Sequence, residues 1–180
     1  MRCLLIIIIL FNYYVYSQTL DSHTSNLNFN IPEVAMLSIK PSNETVFLNL
    51  TNVTEAGENS QVVSTNNNKW INFTSCLNVS TTYRNISAQI VTGTTPSGTE
   101  LKMTVANYSG SGAGNYGIPI SNITLSNSPQ NIITNIGGAY TGNGEYNGYQ
   151  ITYNLSITNY ELLDYNDSNS LTISFTLIDN

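Results

Sequence analysis

Strict alternation of apolar and polar residues recurs along this chain and constrains its fold more than any other feature. The two clearest segments are Tyr149–Ile157 and residues 171–178. Their apolar residues are Ile151, Tyr153, Leu155, Ile157, Leu171, Ile173, Phe175 and Leu177. Alternation with a period of two predicts β-strands that turn one row of side chains into a core and the other toward water.

Weaker alternation predicts further strands at residues 34–39, 45–50, 69–74, 85–91, 100–106, 120–125 and 130–136. Turn-forming residues separate these segments at 41–43, 66–68, 96–98 and 128–129. No stretch of a dozen residues keeps the helical spacing of apolar positions. The pattern therefore predicts an all-β fold, and an immunoglobulin-like antiparallel β-sandwich of Greek-key type suits residues 32–180. The Cys–Trp–Cys frame of antibody domains is excluded, because Cys76 is the one cysteine in that range.

Charged residues are scarce, at 9% of the 180 residues, and the formal net charge is −6. Five Lys and Arg residues are too few for the basic surface that nucleic acid requires, so no nucleic-acid partner is expected. The apolar fraction of 41% is ordinary, which argues against intrinsic disorder. Strand faces that carry Thr, Ser and Asn instead of Lys and Glu are poorly protected against edge-to-edge pairing. The composition therefore predicts protein partners or self-assembly.

The first residues have the pattern of an export signal. Arg2 supplies a positive charge, an uncharged apolar run follows, and Val15 and Ser17 occupy the −3 and −1 positions of a signal-peptidase site. We therefore expect residues 1–17 to be a signal peptide. The apolar run is shorter than the roughly 20 residues that a membrane span needs. The sequence thus predicts a secreted protein, extracellular or on the outer cell surface, without a membrane span.

A short alternating segment, residues 26–31, follows the signal. Its apolar row consists of Leu27, Phe29 and Ile31. Residues 18–31 are accordingly either an N-terminal extension or the first strand of the sandwich. An extension would place this row in a groove of a neighbouring subunit by strand addition, whereas a first strand would pair within its own chain.

Groups that support catalysis or metal binding are sparse. A Ser or Cys nucleophile needs a base within hydrogen-bond reach, but His23, the only histidine, lies in the polar stretch just after the signal. Cys76 fits a small buried apolar residue better than a reactive thiolate, so we expect no enzyme activity and no cofactor. A secreted hydrolase would need a carboxylate pair that faces a cleft, and no zinc site can form from one Cys and one His. Asp164, Asn166 and Ser168 are weak calcium candidates, at positions one, three and five of a calcium-type loop. The glycine and glutamate of that loop are missing, and a solvated hairpin loop explains the same residues.

Two glycine-rich stretches share the pattern Tyr-(Ser/Thr)-Gly-(Ser/Asn)-Gly, at residues 108–112 and 140–144. Their glycines permit positive φ and predict tight loops. Tyrosines beside the loops could stack on sugar rings while nearby asparagines bond to the hydroxyls. The glycan-stacking candidates are Tyr108, Tyr116, Tyr140 and Tyr146. Alternatively, these tyrosines pin the loops against the end of the sandwich, and Trp70 is expected to fill the core.

The chain resembles small exported bacterial β-sandwich surface proteins, whose signals often end in Ser-Gln as residues 17–18 do here. It is also similar to fimbrial subunits of the chaperone–usher type, through residues 171–178 and the Gly/Asn/Tyr lead-in at 144–149. It departs from those subunits in lacking the disulfide and in continuing beyond residue 157. The resemblance implies a non-enzymatic structural or adhesion subunit, pilus-like and assembled by strand addition. A carbohydrate-binding β-sandwich module that uses the loop tyrosines is the alternative.

Overall fold

Segments with alternating sequence form most of the strands of this protein, because alternate side chains of a strand point to opposite faces of its sheet. The computed structural model describes residues 22–50, 53–58, 64–164, 167 and 169–180. It separates the chain into two compact units, residues 1–31 and residues 32–180. In the first unit, the described residues 22–31 form no strand.

The described strands of the second unit are, in chain order, β1 (Val34–Lys40), β2 (Ser64–Cys76), β3 (Arg84–Thr92), β4 (Thr99–Val105), β5 (Ala113–Gly114), β6 (Ile118–Pro119), β7 (Ile123–Thr124), β8 (Gln130–Ile136), β9 (Ala139–Tyr140), β10 (Tyr149–Ile157) and β11 (Thr172–Asp179). A 3₁₀ turn at Tyr160–Leu162 lies between β10 and β11.

The strands form two sheets, and every pairing within them is antiparallel. The larger sheet has the order β5-β9-β2-β10-β4-β7, and β1 also pairs with β2; the smaller sheet has the order β11-β3-β8-β6. Ile71, Met103 and Ile151 of the larger sheet share one buried cluster with Ile86 and Ile133 of the smaller. The protein is therefore all-β with antiparallel sheets in two layers, which confirms the predicted fold class at this level.

Strand β10 shows how the sequence pattern becomes a core. It pairs with β2 on one side and β4 on the other, and Tyr149, Ile151, Tyr153 and Leu155 are buried while the residues between them are half-buried. Burying side chains of this size stabilises a fold by roughly 1.5–3 kcal/mol each. The alternating row of β10 therefore anchors the middle of the larger sheet.

Most predicted strands occur with ends shifted by only a few residues, namely those at 34–39, 69–74, 85–91, 100–106, 130–136, Tyr149–Ile157 and 171–178. The predicted strand at 120–125 is reduced to β7. The prediction for residues 45–50 is wrong, because they form no strand although Val46 and Leu48 pack against the core.

The predicted turn at residues 66–68 is also wrong, because these asparagines lie within β2. Tyr153 pairs with Asn66 and Ile151 pairs with Lys69, so two residues of β2 face one residue of β10. This is a β-bulge, which bends a strand without ending it. The asparagines that suggest a turn in the sequence fit the bulge instead, since the backbone amide of Asn68 donates to Oδ1 of Asn66 at 3.2 Å.

A buried arginine joins strands from both layers. Arg84 of β3 is 2% exposed and forms ion pairs with Glu33 and with Asp179, whose Oδ1 lies 2.7 Å from Arg84 Nε. Its guanidinium also donates to the carbonyl oxygens of Val34 and Cys76, at 2.7 and 3.3 Å. These bonds connect the start of β1 and the end of β2 to β3 and to the end of β11.

Candidate functional site

The two glycine-rich stretches lie side by side in the folded protein, in what we call the loop pair (residues 108–112 and 140–148). The backbones of Ser109 and Gly148 exchange two hydrogen bonds, of 2.9 and 2.7 Å. A Cβ added at Gly112 would lie 1.9 Å from the Tyr140 carbonyl oxygen, so only glycine fits there. The repeated motif therefore supplies two loops that pack closely against each other.

Two of the four glycan-stacking candidates stack on each other. The ring centroids of Tyr108 and Tyr116 are 3.6 Å apart, with 13° between the planes, and both rings are half-buried against the core. Tyr108 also contacts the edge of Tyr149, and its hydroxyl donates to the Thr141 carbonyl at 3.2 Å. A side-chain hydrogen bond to Tyr108 raises the pKa of Tyr116 to about 12. These rings hold the loop pair on the sandwich.

The other two candidates, Tyr140 and Tyr146, are exposed, by 51% and 73%. Tyr146 adopts a backbone φ of +63°, a region that bulky side chains rarely occupy. Its neighbours Gly142, Gly144 and Gly148 also have positive φ, as glycine readily does. The structure thus divides the four tyrosines into a half-buried pair and two exposed rings, one of them on a strained backbone.

An asparagine pair attaches the loop pair to the larger sheet. Asn72 of β2 donates from Nδ2 to the Asn147 carbonyl at 2.5 Å, and its Oδ1 accepts from the Gly144 amide at 2.7 Å. Asn147 Oδ1 accepts from the Ser111 amide at 3.2 Å, and Nδ2 donates to the Asn143 carbonyl at 3.2 Å. The sequence does not predict this role of Asn72, although its alternation with Ile71 and Phe73 places it on the face away from the core.

Trp70 is buried, at 8% exposed, but it is not part of the core cluster. Because Ile71 and Phe73 occupy the core face of β2, Trp70 lies on the outer face, where the Tyr146 ring covers it. The two ring centroids are 5.6 Å apart, with an angle of 58° between the planes. Both rings line a groove of about 380 Å³, which we call the outer groove and which is lined by Pro41, Glu44, Asn67, Asn68, Trp70, Glu145, Tyr146 and Gln150.

The outer groove is acidic and rich in amides. Among its described lining residues, Glu44 and Glu145 carry carboxylates and none carries a basic side chain. The buried Lys69 holds one wall, since its Nζ donates to the carbonyl oxygens of Pro41 and Glu44 at 2.8 Å each. Gln150 Nε2 donates to the Asn67 carbonyl at 2.8 Å, which fixes its side chain beside the bulge of β2. The groove is therefore built by neighbouring elements of the sheet and not by one loop alone.

Among the described residues, the remaining chemical candidates are not brought together into a site. Asn166 and Ser168 lie outside the described residues, so the calcium prediction stays a prediction. Asp167, which is described, accepts a hydrogen bond from the Ser97 amide at 2.8 Å. Within the described ranges, no three His, Cys, Asp or Glu side chains are close enough to hold a metal ion. Cys76 is half-buried at the end of β2.

The predicted strand-addition residues are exposed. Leu27, Phe29 and Ile31 have exposed fractions of 74%, 86% and 82%, and residues 22–33 form no strand. No helix in the part of the chain that the structure describes is long and apolar enough to cross a membrane.

The sandwich has an incompletely covered margin where its two layers meet. Strands β1 and β11 each pair with one other strand and lie close to one another. Their core-facing apolar residues are only partly buried; we call them the edge seam, formed by Leu37 and Ile39 of β1 and Ile173, Phe175 and Leu177 of β11. The charged residues of these two strands are Lys40 and Asp179, each at a strand end. The edge seam is therefore apolar and has little charge protection.

No protein-family model, no curated protein and no solved structure matches this chain.

Proposed function

We propose that the protein is an exported, non-enzymatic structural or adhesion subunit of the cell surface or extracellular space, pilus-like and assembled by strand addition. The observation that carries this proposal is the exposed row of Leu27, Phe29 and Ile31. Large apolar side chains that are exposed in alternation on a segment of strand-like spacing are suited to burial against another surface. In this proposal residues 18–31 are an extension that pairs between chains.

The edge seam is the proposed acceptor. An added strand along β11 would take its backbone hydrogen bonds from the open edge of that strand, and its apolar row would cover Ile173, Phe175 and Leu177. The near-absence of charge on β1 and β11 supports this assignment, because soluble proteins commonly protect edge strands with lysine or other charges. The finer topology that we propose for the acceptor is immunoglobulin-like and Greek-key.

The experiment compares the two rows of the same segment in protein that begins at residue 18. One variant replaces Leu27, Phe29 and Ile31 with Ser, and the matched control replaces Asn26, Asn28 and Asn30 with Ser. Size-exclusion chromatography with light scattering measures association, and circular dichroism confirms that each variant keeps its β-structure.

We expect the parent and the polar-row control to form dimers or longer polymers, and the apolar-row variant to be monomeric and folded. Association that survives the loss of all three apolar side chains would contradict the proposal, as would a parent that stays monomeric at high concentration.

A further inference from the structure

The outer groove combines features that strand addition does not require. It lies on the face of β2 and β10 opposite the core, where an ordinary sheet would present polar side chains to water. Instead, the only tryptophan of the chain lies there under the ring of Tyr146. Its volume of about 380 Å³ is near the small end of the range for ligand sites, roughly 300–1,000 Å³.

Tyr146 is held in a conformation that does not favour it. A positive φ is a strained backbone conformation for a bulky residue, and glycine would avoid that strain. The residue is nevertheless 73% exposed, so its contact with Trp70 buries little of its surface. A strained residue that presents an aromatic face to solvent beside a groove is the arrangement expected of a binding platform.

The polar residues of the outer groove indicate the kind of ligand. Glu44 and Glu145 accept hydrogen bonds, while the amides of Asn67, Asn68 and Gln150 both donate and accept. Such groups suit the vicinal hydroxyls of a sugar, and an aromatic face suits the apolar C–H side of its ring. Two carboxylates and no basic lining residue disfavour sulfated or otherwise anionic sugars.

We infer that the outer groove binds a neutral saccharide, one or two sugar units of a glycan, with the Tyr146 ring as the stacking platform and Glu145, Glu44 and Gln150 as hydrogen-bonding partners. This site differs from the four-tyrosine surface that the sequence suggests, because Tyr108 and Tyr116 stack on each other. The inference is independent of strand addition, since no residue of the apolar row takes part in it.

Trp70 provides a direct readout, because it is the only tryptophan in the chain and lines the groove. Protein that begins at residue 18 is titrated with chitotriose, cellotriose, mannotriose and galactobiose, and with a sulfated heparin hexasaccharide as the anionic probe. Tryptophan emission is recorded, and ligand-observed NMR gives a second signal that does not depend on the indole. We expect saturable binding of at least one neutral probe and none of the sulfated one.

Three variants locate the binding. Tyr146→Gly removes the ring and relieves the backbone strain, so it should stay folded by circular dichroism while it binds about tenfold more weakly. Glu145→Gln keeps the ring and should weaken binding several-fold through the loss of a charged acceptor. Tyr140→Ala, the matched control at the other exposed loop tyrosine, should bind like the parent.

Failure of every neutral probe to bind would overturn the inference, as would parental affinity in both Tyr146→Gly and Glu145→Gln, or tighter binding of the sulfated probe. The apolar-row variant of the assembly experiment separates the two proposals. It should bind the saccharide normally even when it is monomeric. A parent protein that assembles but binds no saccharide would overturn the inference about the outer groove and leave the assembly proposal intact.

Discussion

Arg84 shows how one side chain can connect the layers of a sandwich. Its charge is buried, while Glu33 and Asp179 remain partly exposed at 39% and 58%. The guanidinium suits this position because its several donors reach carboxylates and carbonyl oxygens at the same time. The sequence gives no sign of this role, since a lone arginine just before a predicted strand is usually a solvated residue.

We expect Arg84→Met to destabilise the protein by about 3 kcal/mol, because the carbonyls of Val34 and Cys76 lose their donor together with both ion pairs. Urea unfolding followed by circular dichroism measures the loss. The matched control is Lys102→Met, whose partly exposed pair with Glu100 should contribute less than about 1 kcal/mol. Equal effects of the two substitutions would contradict the structural role of Arg84.

Substitution of two glycines in the loop pair distinguishes the cost of backbone strain from the cost of close packing. Gly148 and Gly144 both have positive φ, but a Cβ at Gly148 would lie 2.0 Å from the Ile71 carbonyl oxygen, while nothing lies within 4 Å of one at Gly144. Gly144→Ala should cost about 1 kcal/mol and Gly148→Ala about 3 kcal/mol or more, measured by thermal or urea unfolding. A Gly148→Ala protein as stable as Gly144→Ala would show that Gly148 does not pack against β2 as described.

At the scale of the element, a strand can be predicted from the sequence only if its alternating segment is long enough to show the period. The long strands β8, β10 and β11 show the period clearly, whereas two-residue strands such as β5 and β9 are too short to show one. Residues 45–50 have the period, and Val46 and Leu48 pack on the core, but the segment joins no sheet, so the period alone does not determine whether a segment pairs.

The outer groove could be predicted only in part from the sequence. The sequence singles out Tyr146 through its glycine-rich loop, but it assigns Trp70 to the core because the residues around it are apolar. The groove brings together residues from β2, β10, the loop after β1 and the loop before β10. Such a combination depends on the order of strands in the sheet, which local patterns do not determine.

A charge on the open edge of β11 should weaken assembly. Thr176 is exposed on this edge strand, and Thr176→Lys adds a lysine of the kind that commonly protects sheet edges, so association should fall several-fold. The matched control is Thr74→Lys on β2, also exposed but on a strand that is paired on both sides. Light scattering should show parental association for the control, and an equal loss in both variants would argue for a general effect of charge.

At the scale of the whole molecule, buried tyrosines predict the alkaline limit of stability. Burial raises the pKa of Tyr149 and of Tyr153 above the usual value near 10. The unfolded chain therefore ionises these phenols at lower pH than the folded protein does, so their stabilisation is complete below about pH 10 and is lost as pH rises above it.

Tyr153→Phe should shift the alkaline unfolding midpoint upward, because it removes one buried group that must ionise while it keeps nearly the same volume. Circular dichroism during a base titration measures the midpoint. Tyr160→Phe, at an exposed position, should leave it unchanged. A midpoint that does not differ between the two variants would mean that Tyr153 ionisation is not coupled to unfolding.

The scarcity of charge has its clearest consequence in the whole molecule. With 9% charged residues, the sheet edges carry Thr, Ser and aliphatic side chains, and the charges of β1 and β11 stand only at strand ends. One polypeptide therefore carries both the sparsely charged edge that we propose as the acceptor and an exposed apolar row. This combination favours assembly between copies of the chain.

The most direct test of strand addition is amide hydrogen exchange on a protein that begins at residue 32, after addition of a peptide of residues 24–33. Strand addition predicts slower exchange along β11, and no change with a control peptide in which Leu27, Phe29 and Ile31 are Ser. Unchanged exchange along β11, or equal protection by both peptides, would contradict it.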